Sequence, residues 1–249
     1  MLAPPTHLLL DFFGTVVENS PFHSAEGFER THALTAAMGS ALTPEQSRAA
    51  WSAAFDRLTG DTAESLDEFA LTDVARVALE AILGRSPAAG EIEAGARAYQ
   101  VDWNRGVGYP AGMVDVLEGL GRRFTLAIVS NTHDVDQVQS HLAAMGAESL
   151  VETVVTSIGV GKRKPHPAIY AAALAACGIG PGSALFVGDT YLADFVGPQR
   201  HGIRAFLIDP RRLARVPESR RLDSLAALAG RLDVLGSDEY GSGVAPTRG

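Results

Sequence analysis

Polar side chains capable of chemistry stand directly after several apolar segments of this chain. Asp11 ends the segment Thr6-His-Leu-Leu-Leu-Asp, and Asp189 ends Ala184-Leu-Phe-Val-Gly-Asp, with Asp194 five residues further on. A carboxylate such as Asp11 can act as a nucleophile. The other two carboxylates, Asp189 and Asp194, offer the oxygen ligands that Mg²⁺ takes in combination with a substrate phosphate.

Four further positions could hold the anionic group that such a nucleophile attacks. Thr15 and Ser130 offer hydroxyl groups, backbone N–H groups near Gly14 can cradle anionic oxygens, and Lys164 supplies a positive charge. A carboxylate cannot approach a phosphate dianion unless the charge is neutralised, and a metal with a lysine would do this. Asn131, beside Ser130, is a further candidate for substrate binding.

These residues need a framework that gathers them, and the pattern of apolar segments predicts one. Short apolar segments alternate with amphipathic ones of helical spacing, which is typical of right-handed βαβ units and a parallel sheet. Ligands bind such sheets beyond the carboxyl ends of the strands. The predicted strands are 6–11, 124–131, 151–156, 184–189 and 203–208, and the predicted helices between and after them are 112–122, 134–145, 167–177, 192–201 and 219–235.

A stretch after the first strand differs from the rest. From about residue 20 to 108 the chain is rich in alanine at helical spacing, which predicts helices over 22–38, 45–59, 66–84 and 90–104. The fold class is therefore α/β, a doubly wound parallel sheet with an all-helical insert. We expect residues 1–18 and 109–236 to form the core domain, 19–108 a cap domain, and 237–249 a flexible tail.

Composition limits the classes of function. Hydrophobic residues make up 46% and charged residues 20% of the 249, as in ordinary globular proteins, which argues against disorder. The formal net charge of −8 argues against a nucleic-acid surface. Cys177 is the single cysteine, which excludes an internal disulfide and a cysteine-based zinc site. We find no secretory signal and no membrane-length apolar segment and expect a cytoplasmic protein, monomeric or homodimeric.

The ordered motifs identify the chain as resembling the haloacid dehalogenase (HAD) superfamily, in the branch with a helical cap inserted after the first motif. Four segments carry the resemblance: Leu9-Leu-Asp-Phe-Phe-Gly-Thr-Val-Val, Ile128-Val-Ser-Asn-Thr, Lys164-Pro-His-Pro-Ala-Ile-Tyr and Phe186-Val-Gly-Asp-Thr-Tyr-Leu-Ala-Asp. The resemblance implies a covalent intermediate on Asp11, with Thr15 or Ser130 and Lys164 holding the transferring group. It also implies that Asp189 and Asp194 hold Mg²⁺.

One position departs from the pattern of the family's phosphatases. Where they carry a second Asp that acts as general acid and base, this chain has Phe13. The family's metal takes the backbone carbonyl at this place, so Asp11 and Phe13 remain expected metal ligands. The proton donor is lost, which typically costs about 10²–10⁴ in rate. His23 is the best substitute as general acid and base, and Glu18 is the next.

Three functions stay open. We favour a Mg²⁺-dependent phosphatase acting on a small phosphorylated metabolite, with its specificity set by the cap. The alternative is a haloacid dehalogenase, which carries an aromatic residue at the place of Phe13 and uses no metal, because a halide leaves without a proton. The third is a binding or regulatory protein that has lost activity. Phosphonate cleavage is nearly excluded, since no lysine stands between residues 1 and 161 to form a Schiff base.

Overall fold

The structure is a computed structural model that describes residues 4–18 and 28–239. Its strands are β1 (His7–Leu10), β2 (Thr125–Ser130), β3 (Thr153–Thr156), β4 (Ala184–Gly188), β5 (Arg204–Ile208) and β6 (Arg221–Leu222). Its α-helices are α1 (Glu29–Ala37), α2 (Pro44–Asp61), α3 (Leu71–Leu83), α4 (Ala89–Asn104), α5 (Met113–Gly121), α6 (Gln137–Met145), α7 (Ser157–Val160), α8 (Pro167–Ala176), α9 (Gly197–Arg200) and α10 (Leu228–Glu239). None of the helices in these described ranges is both long and apolar enough to cross a membrane.

The six strands form one parallel sheet in the order β3-β2-β1-β4-β5-β6. Side chains alternate between its two faces, as the period of a strand requires. Leu8 and Leu10 pack in the core on one face, whereas Leu9 packs with Val129 and Phe186 on the other. Helices cover both faces, the central strands β1, β2 and β4 are almost wholly buried, and the predicted α/β class is confirmed.

Helices α1 to α4, which we term the helical unit, have an apolar core of their own. Trp51 of α2 stacks on Tyr99 of α4 with ring centroids 4.5 Å apart, and both rings are buried with Phe28. Thr43 caps α2 through its hydroxyl and the N–H of Gln46, while the Gln46 side chain accepts from the N–H of Thr43. The local sequence therefore explains why this segment is helical.

Three predicted elements need correction. The helix predicted from residue 66 begins at Leu71, because Asp67 pairs with Lys162 in an isolated antiparallel bridge. The helix predicted over 192–201 opens as a π-helix, Tyr191–Val196, and only then becomes α9. The helix predicted over 219–235 starts at Leu228, since β6 occupies Arg221–Leu222.

The ends of the chain were predicted less well than its centre. Helix α10 continues to Glu239, so the first three residues of the expected tail are helical. The rest of that tail lies outside the described residues, as does the beginning of the helix predicted over 22–38. The other predicted strands and helices agree with the structure to within about three residues at their ends.

Candidate active site

The parallel register brings the predicted residues to one edge of the sheet. Leu10 of β1 pairs with Ile128 of β2 and with Val187 of β4. Asp11 follows β1 directly and its N–H donates to the carbonyl of Val187, 2.9 Å away, while Asp189 follows β4. The carboxyl ends of the three central strands therefore surround a common space.

Lys164 is the centre of the site. Its Nζ donates to Asp11 Oδ1 at 2.6 Å, to Asp194 Oδ1 at 2.8 Å and to the carbonyl of Val129 at 2.8 Å. Only 2% of its side chain is exposed. Burial alone would lower the pKa of Lys164, but the two carboxylates more than offset this and raise it, so the ammonium stays charged at neutral pH.

Three carboxylates surround this one ammonium. Asp11, Asp189 and Asp194 each offer an oxygen within 4.8 Å of the others. Burial raises the pKa of Asp194; the charge of Lys164 opposes this in part, and the charge of Asp11 adds to it. Burial and the charge of Asp11 also raise the pKa of Asp189. Three carboxyl groups stand against one ammonium, so the cluster holds more acidic groups than basic ones. A hard divalent cation that takes carboxylate oxygens, such as Mg²⁺, fits this donor set.

Close backbone approaches place two of these carboxylates. Gly14 has φ +86°, and a Cβ at that position would collide with the carboxylate of Asp189. A Cβ on Gly188 would likewise collide with Asp194, whose Oδ2 accepts the N–H of Thr190 at 2.9 Å. Both glycines are therefore required by the packing of the acidic cluster, and the π-helix that carries Asp194 turns it inward.

The predicted phosphate-holding residues lie around the cluster. Thr15 Oγ1 donates to Asp11 Oδ2 at 3.2 Å. Ser130 is buried and donates weakly to the carbonyl of Asn131 at 3.4 Å. The N–H of Gly14 donates to the carbonyl of Val17 at 2.8 Å. The contacts of Thr15, Ser130 and Gly14 with a substrate stay predictions.

Asn131 holds the main chain of Lys164. Its Oδ1 accepts the N–H of Lys164 at 2.8 Å, and its Nδ2 donates to the Lys164 carbonyl at 3.2 Å. Because both polar atoms of the amide bond to the main chain of Lys164, Asn131 fixes the position of that residue. The predicted contact of Asn131 with substrate stays a prediction.

Phe13 lies among aromatic rings. Its ring meets those of Phe12, Trp103 and His141 edge to face, with centroids 5.1, 4.9 and 5.8 Å away. Burial lowers the pKa of His141, which is therefore neutral at pH 7. His141 Nδ1 is 2.9 Å from the hydroxyl of Tyr109. Phe13 thus contacts both α4 of the helical unit and α6, a helix that follows β2 of the sheet.

The two predicted substitutes for the missing acid have different outcomes. His23 lies outside the described residues, so its role stays a prediction. Glu18 is exposed, and its N–H donates to the carbonyl of Gly108 at 2.9 Å. Glu18 therefore stands where the chain leaves β1 for the helical unit and where it returns.

Sequence reasoning missed how the loop before Lys164 is held. The N–H of Arg163 donates to the carbonyl of Leu66 at 3.0 Å, and the N–H of Glu68 donates to the carbonyl of Gly161 at 3.1 Å. Lys162 Nζ lies 2.5 Å from Asp67 Oδ1. The acidic pair Asp67-Glu68 and the basic run 162–164 were the only signal of this pairing in the sequence.

A buried polar network reinforces the same junction. Ser157 Oγ donates to Glu68 Oε2 at 2.5 Å, and His133 Nδ1 lies 3.1 Å from Glu68 Oε1. Burial alone would raise the pKa of Glu68, but the bonds from His133 and Ser157 more than offset it and lower the pKa. The helical unit is thus tied to the loop of Lys164 by an ionised, buried carboxylate.

Comparison with known proteins finds curated relatives. The chain is 35% identical over 120 residues to human haloacid dehalogenase-like hydrolase domain-containing protein 3, covering 46% of this chain and 47% of that protein. It is 32% identical over 122 residues to phosphatase MT3486 of Mycobacterium tuberculosis (strain CDC 1551 / Oshkosh), covering 49% of this chain and 55% of the relative. The chain thus spans about half the length of the curated relatives it matches.

Solved structures share the fold at low sequence identity. The 2-haloacid dehalogenase from Pseudomonas syringae pv. Tomato DC3000 superposes with a TM-score of 0.70 at 20% identity, covering 93% of this chain and 99% of that one. The family model of haloacid dehalogenase-like hydrolases matches residues 48–208, well over half of the sequence. The chain therefore belongs to the haloacid dehalogenase-like hydrolase family.

Proposed function

We propose that the protein is a Mg²⁺-dependent phosphatase that uses Asp11 as its nucleophile. The observation that carries the proposal is the acidic cluster around Lys164, in which Asp189 and Asp194 accompany Asp11 within 4.8 Å. A metal-free dehalogenase has no use for two further acids at this place. A phosphatase needs them to hold a divalent cation, because the charge of a phosphate dianion must be neutralised before a carboxylate can attack it.

The proposed reaction has two steps, transfer of the phosphoryl group to Asp11 and its hydrolysis by water. A carboxylate oxygen of Asp11 forms a bond to phosphorus while the ester P–O bond breaks, and its electron pair leaves with the alcohol oxygen. Water then attacks the phosphorus and releases a proton to solvent, the bond to Asp11 breaks, and phosphate is released with the carboxylate restored. The released proton replaces the one that the leaving alcohol oxygen takes up. Overall, one ester and one water give one alcohol and one phosphate.

The residues of this chain have separate tasks in these steps. Lys164 orients Asp11 and neutralises negative charge, and Thr15 fixes the second oxygen of Asp11. Asp11, Asp189, Asp194 and the carbonyl of Phe13 are the proposed ligands of Mg²⁺, which when bound would stabilise charge on the transferring phosphoryl oxygens. Phe13 offers no proton, so the leaving oxygen is protonated by solvent or by His23.

We also propose that the helical unit acts as a cap over this site, with domain boundaries at about residues 18 and 109. Its separate core and its contacts with Phe13 and the loop of Lys164 support this. The substrate is a small phosphorylated metabolite and the location is the cytoplasm, as the sequence suggests.

The experiment is a phosphate-release assay with a panel of phosphate esters in MgCl₂ and in EDTA. Wild type should release phosphate only with Mg²⁺, and Asp11→Asn should abolish the release. Asp115→Asn, which removes an exposed carboxylate on α5, is the control and should keep full activity. Release that persists in Asp11→Asn would refute the proposed nucleophile.

A dehalogenase is the second candidate, since an aromatic residue at position 13 suits a leaving group that needs no proton. Halide release from 2-haloacids in EDTA, lost in Asp11→Asn, would favour it over a phosphatase. A binding protein would show neither phosphate nor halide release.

A further inference from the structure

A pocket beside the acidic cluster has no part in the mechanism described above. Its volume is about 510 Å³, within the range of small-molecule sites. Its lining comes from the loop after β1, the segment after β4, the end of β5 and the loop after β5. None of the described residues of the helical unit lines it. The lining includes Gly14, Asp189, Tyr191, Arg211, Leu213 and Ala214.

We propose that this pocket binds the leaving group of the substrate and that the leaving group is a planar aromatic or heteroaromatic alcohol. The inference rests on the proposed phosphatase function and names its substrate class. Position is the first argument. Gly14 and Asp189 form one end of the pocket, and Asp189 lies within 4.8 Å of Asp11 and Asp194. A group in the pocket can therefore be bonded to a phosphoryl group at the cluster.

The lining of the pocket includes an aromatic ring and an aliphatic side chain that are both accessible. The ring of Tyr191 stacks on Phe195 with centroids 6.0 Å apart and planes 20° apart, yet the residue remains 38% exposed. Leu213 is 73% exposed and adds an aliphatic side chain to the same lining. A supported aromatic face and an exposed aliphatic side chain suit a planar ligand, since aromatic rings stack offset on one another.

The wall is formed before any ligand arrives. Asp209 Oδ1 accepts the N–H of Leu213 at 3.0 Å, and Oδ2 accepts the N–H of Ala214 at 2.9 Å. Arg221, largely buried, forms an ion pair with Asp209 and donates to the Ala214 carbonyl at 3.1 Å. Arg211 adds an exposed positive charge to the same wall, which favours an anionic ester over a neutral compound.

The chemistry at Phe13 points to the same substrate. With Phe13 in place of an acid, a leaving group that is stable as an anion reacts fastest. A phenol has a pKa of about 10, against about 15.7 for water, so an aryl oxide leaves far more readily than an alkoxide without a proton. An aromatic alcohol therefore suits both the ring of Tyr191 in the pocket lining and a position 13 that offers no proton.

Binding of non-hydrolysable phosphonates tests the subsite separately from turnover. Calorimetry in MgCl₂ should show phenylphosphonate binding wild type about tenfold more tightly than propylphosphonate, a ratio equivalent to about 1.4 kcal/mol. Tyr191→Ala and Leu213→Ser should each remove most of that preference. Val101→Ser, which alters an exposed apolar residue of the helical unit, should keep the preference.

The outcomes distinguish the two proposals. Equal binding of both phosphonates to wild type, or a preference unaffected by Tyr191→Ala and Leu213→Ser, would overturn the aromatic subsite. In parallel, phenyl phosphate should be hydrolysed with a higher kcat/KM than propyl phosphate. Failure to hydrolyse either ester, with the phosphonate preference intact, would overturn the phosphatase and leave the subsite standing.

Discussion

Replacing Phe13 by aspartate should place a proton donor two residues after the proposed nucleophile Asp11. The introduced carboxyl group would stand among the rings of Phe12, Trp103 and neutral His141. Burial beside apolar rings raises the pKa of a carboxyl group, which favours the protonated form that a general acid needs. We expect turnover of alkyl phosphates to rise by about 10²–10⁴, or about 2.7–5.5 kcal/mol of barrier.

The substitution has a cost in stability that the design must include. Phe13 is half-buried, so removing it loses part of the ~1.5–3 kcal/mol that full burial provides, and somewhat more for its edge contacts with Trp103 and the other rings. Domains are typically stable by about 5–15 kcal/mol, so the variant should still fold. Phe13→Asn removes the same packing without adding an acid and is the matched control.

The assay compares kcat for propyl phosphate and phenyl phosphate in MgCl₂ for the three proteins. Phe13→Asp should accelerate propyl phosphate hydrolysis greatly and phenyl phosphate hydrolysis little, because an aryl oxide needs no proton. Phe13→Asn should accelerate neither. A folded Phe13→Asp variant with no gain on propyl phosphate would refute the reasoning and show that proton donation does not limit the rate.

Three other substitutions test the geometry of the site. Gly14→Ala, at φ +86° and against Asp189, should lower the free energy of unfolding by at least about 1–2 kcal/mol and abolish the Mg²⁺-induced rise in Tm; an unchanged rise would contradict the proposed packing. Lys164→Met should lower the free energy of unfolding in EDTA by about 3–5 kcal/mol, since it leaves buried carboxylates without their cation, and urea titration measures this. Glu68→Gln should cost about 1.5–3 kcal/mol at pH 7, because the ionised form holds bonds from His133 and Ser157. The folded pKa of Glu68 is lowered, so the difference from wild type is full above the ordinary value of 4.5 and vanishes as the pH falls through the folded pKa; a difference that persists at low pH would exclude this cause.

The fold was predictable because its signals are local. Leu8, Leu9 and Leu10 read as a strand buried on both faces, and the polar residue that follows marks its carboxyl end. Parallel strands then bring Asp11, Asp189 and the loop of Lys164 together without any knowledge of side-chain contacts. The prediction of the fold class, and of the sheet edge where these residues meet, depends only on these local patterns and on the handedness of βαβ units.

The remaining features depend on contacts between distant segments. The pairing of Asp67 with Lys162 joins residues 95 apart, and it replaces the first turn of a predicted helix by a bridge. The strand Arg221–Leu222 is two residues long and has no periodicity to detect. The aromatic surroundings of Phe13 likewise come from α4 and α6, so sequence reasoning registered a missing acid but not the apolar contacts that replace it.

These contacts assign different tasks to the helical unit and to the sheet layer. The unit touches both reactive loops, since Trp103 packs on Phe13 and Glu68 bonds to Ser157 beside the loop of Lys164. The leaving-group pocket, in contrast, is lined from the loops after β1, β4 and β5. If the helical unit moves as the proposed cap, it would therefore disturb Asp11 and Lys164 before it disturbed the pocket. It follows that exchanging residues of the helical unit should alter kcat more than the preference between aromatic and aliphatic phosphonates.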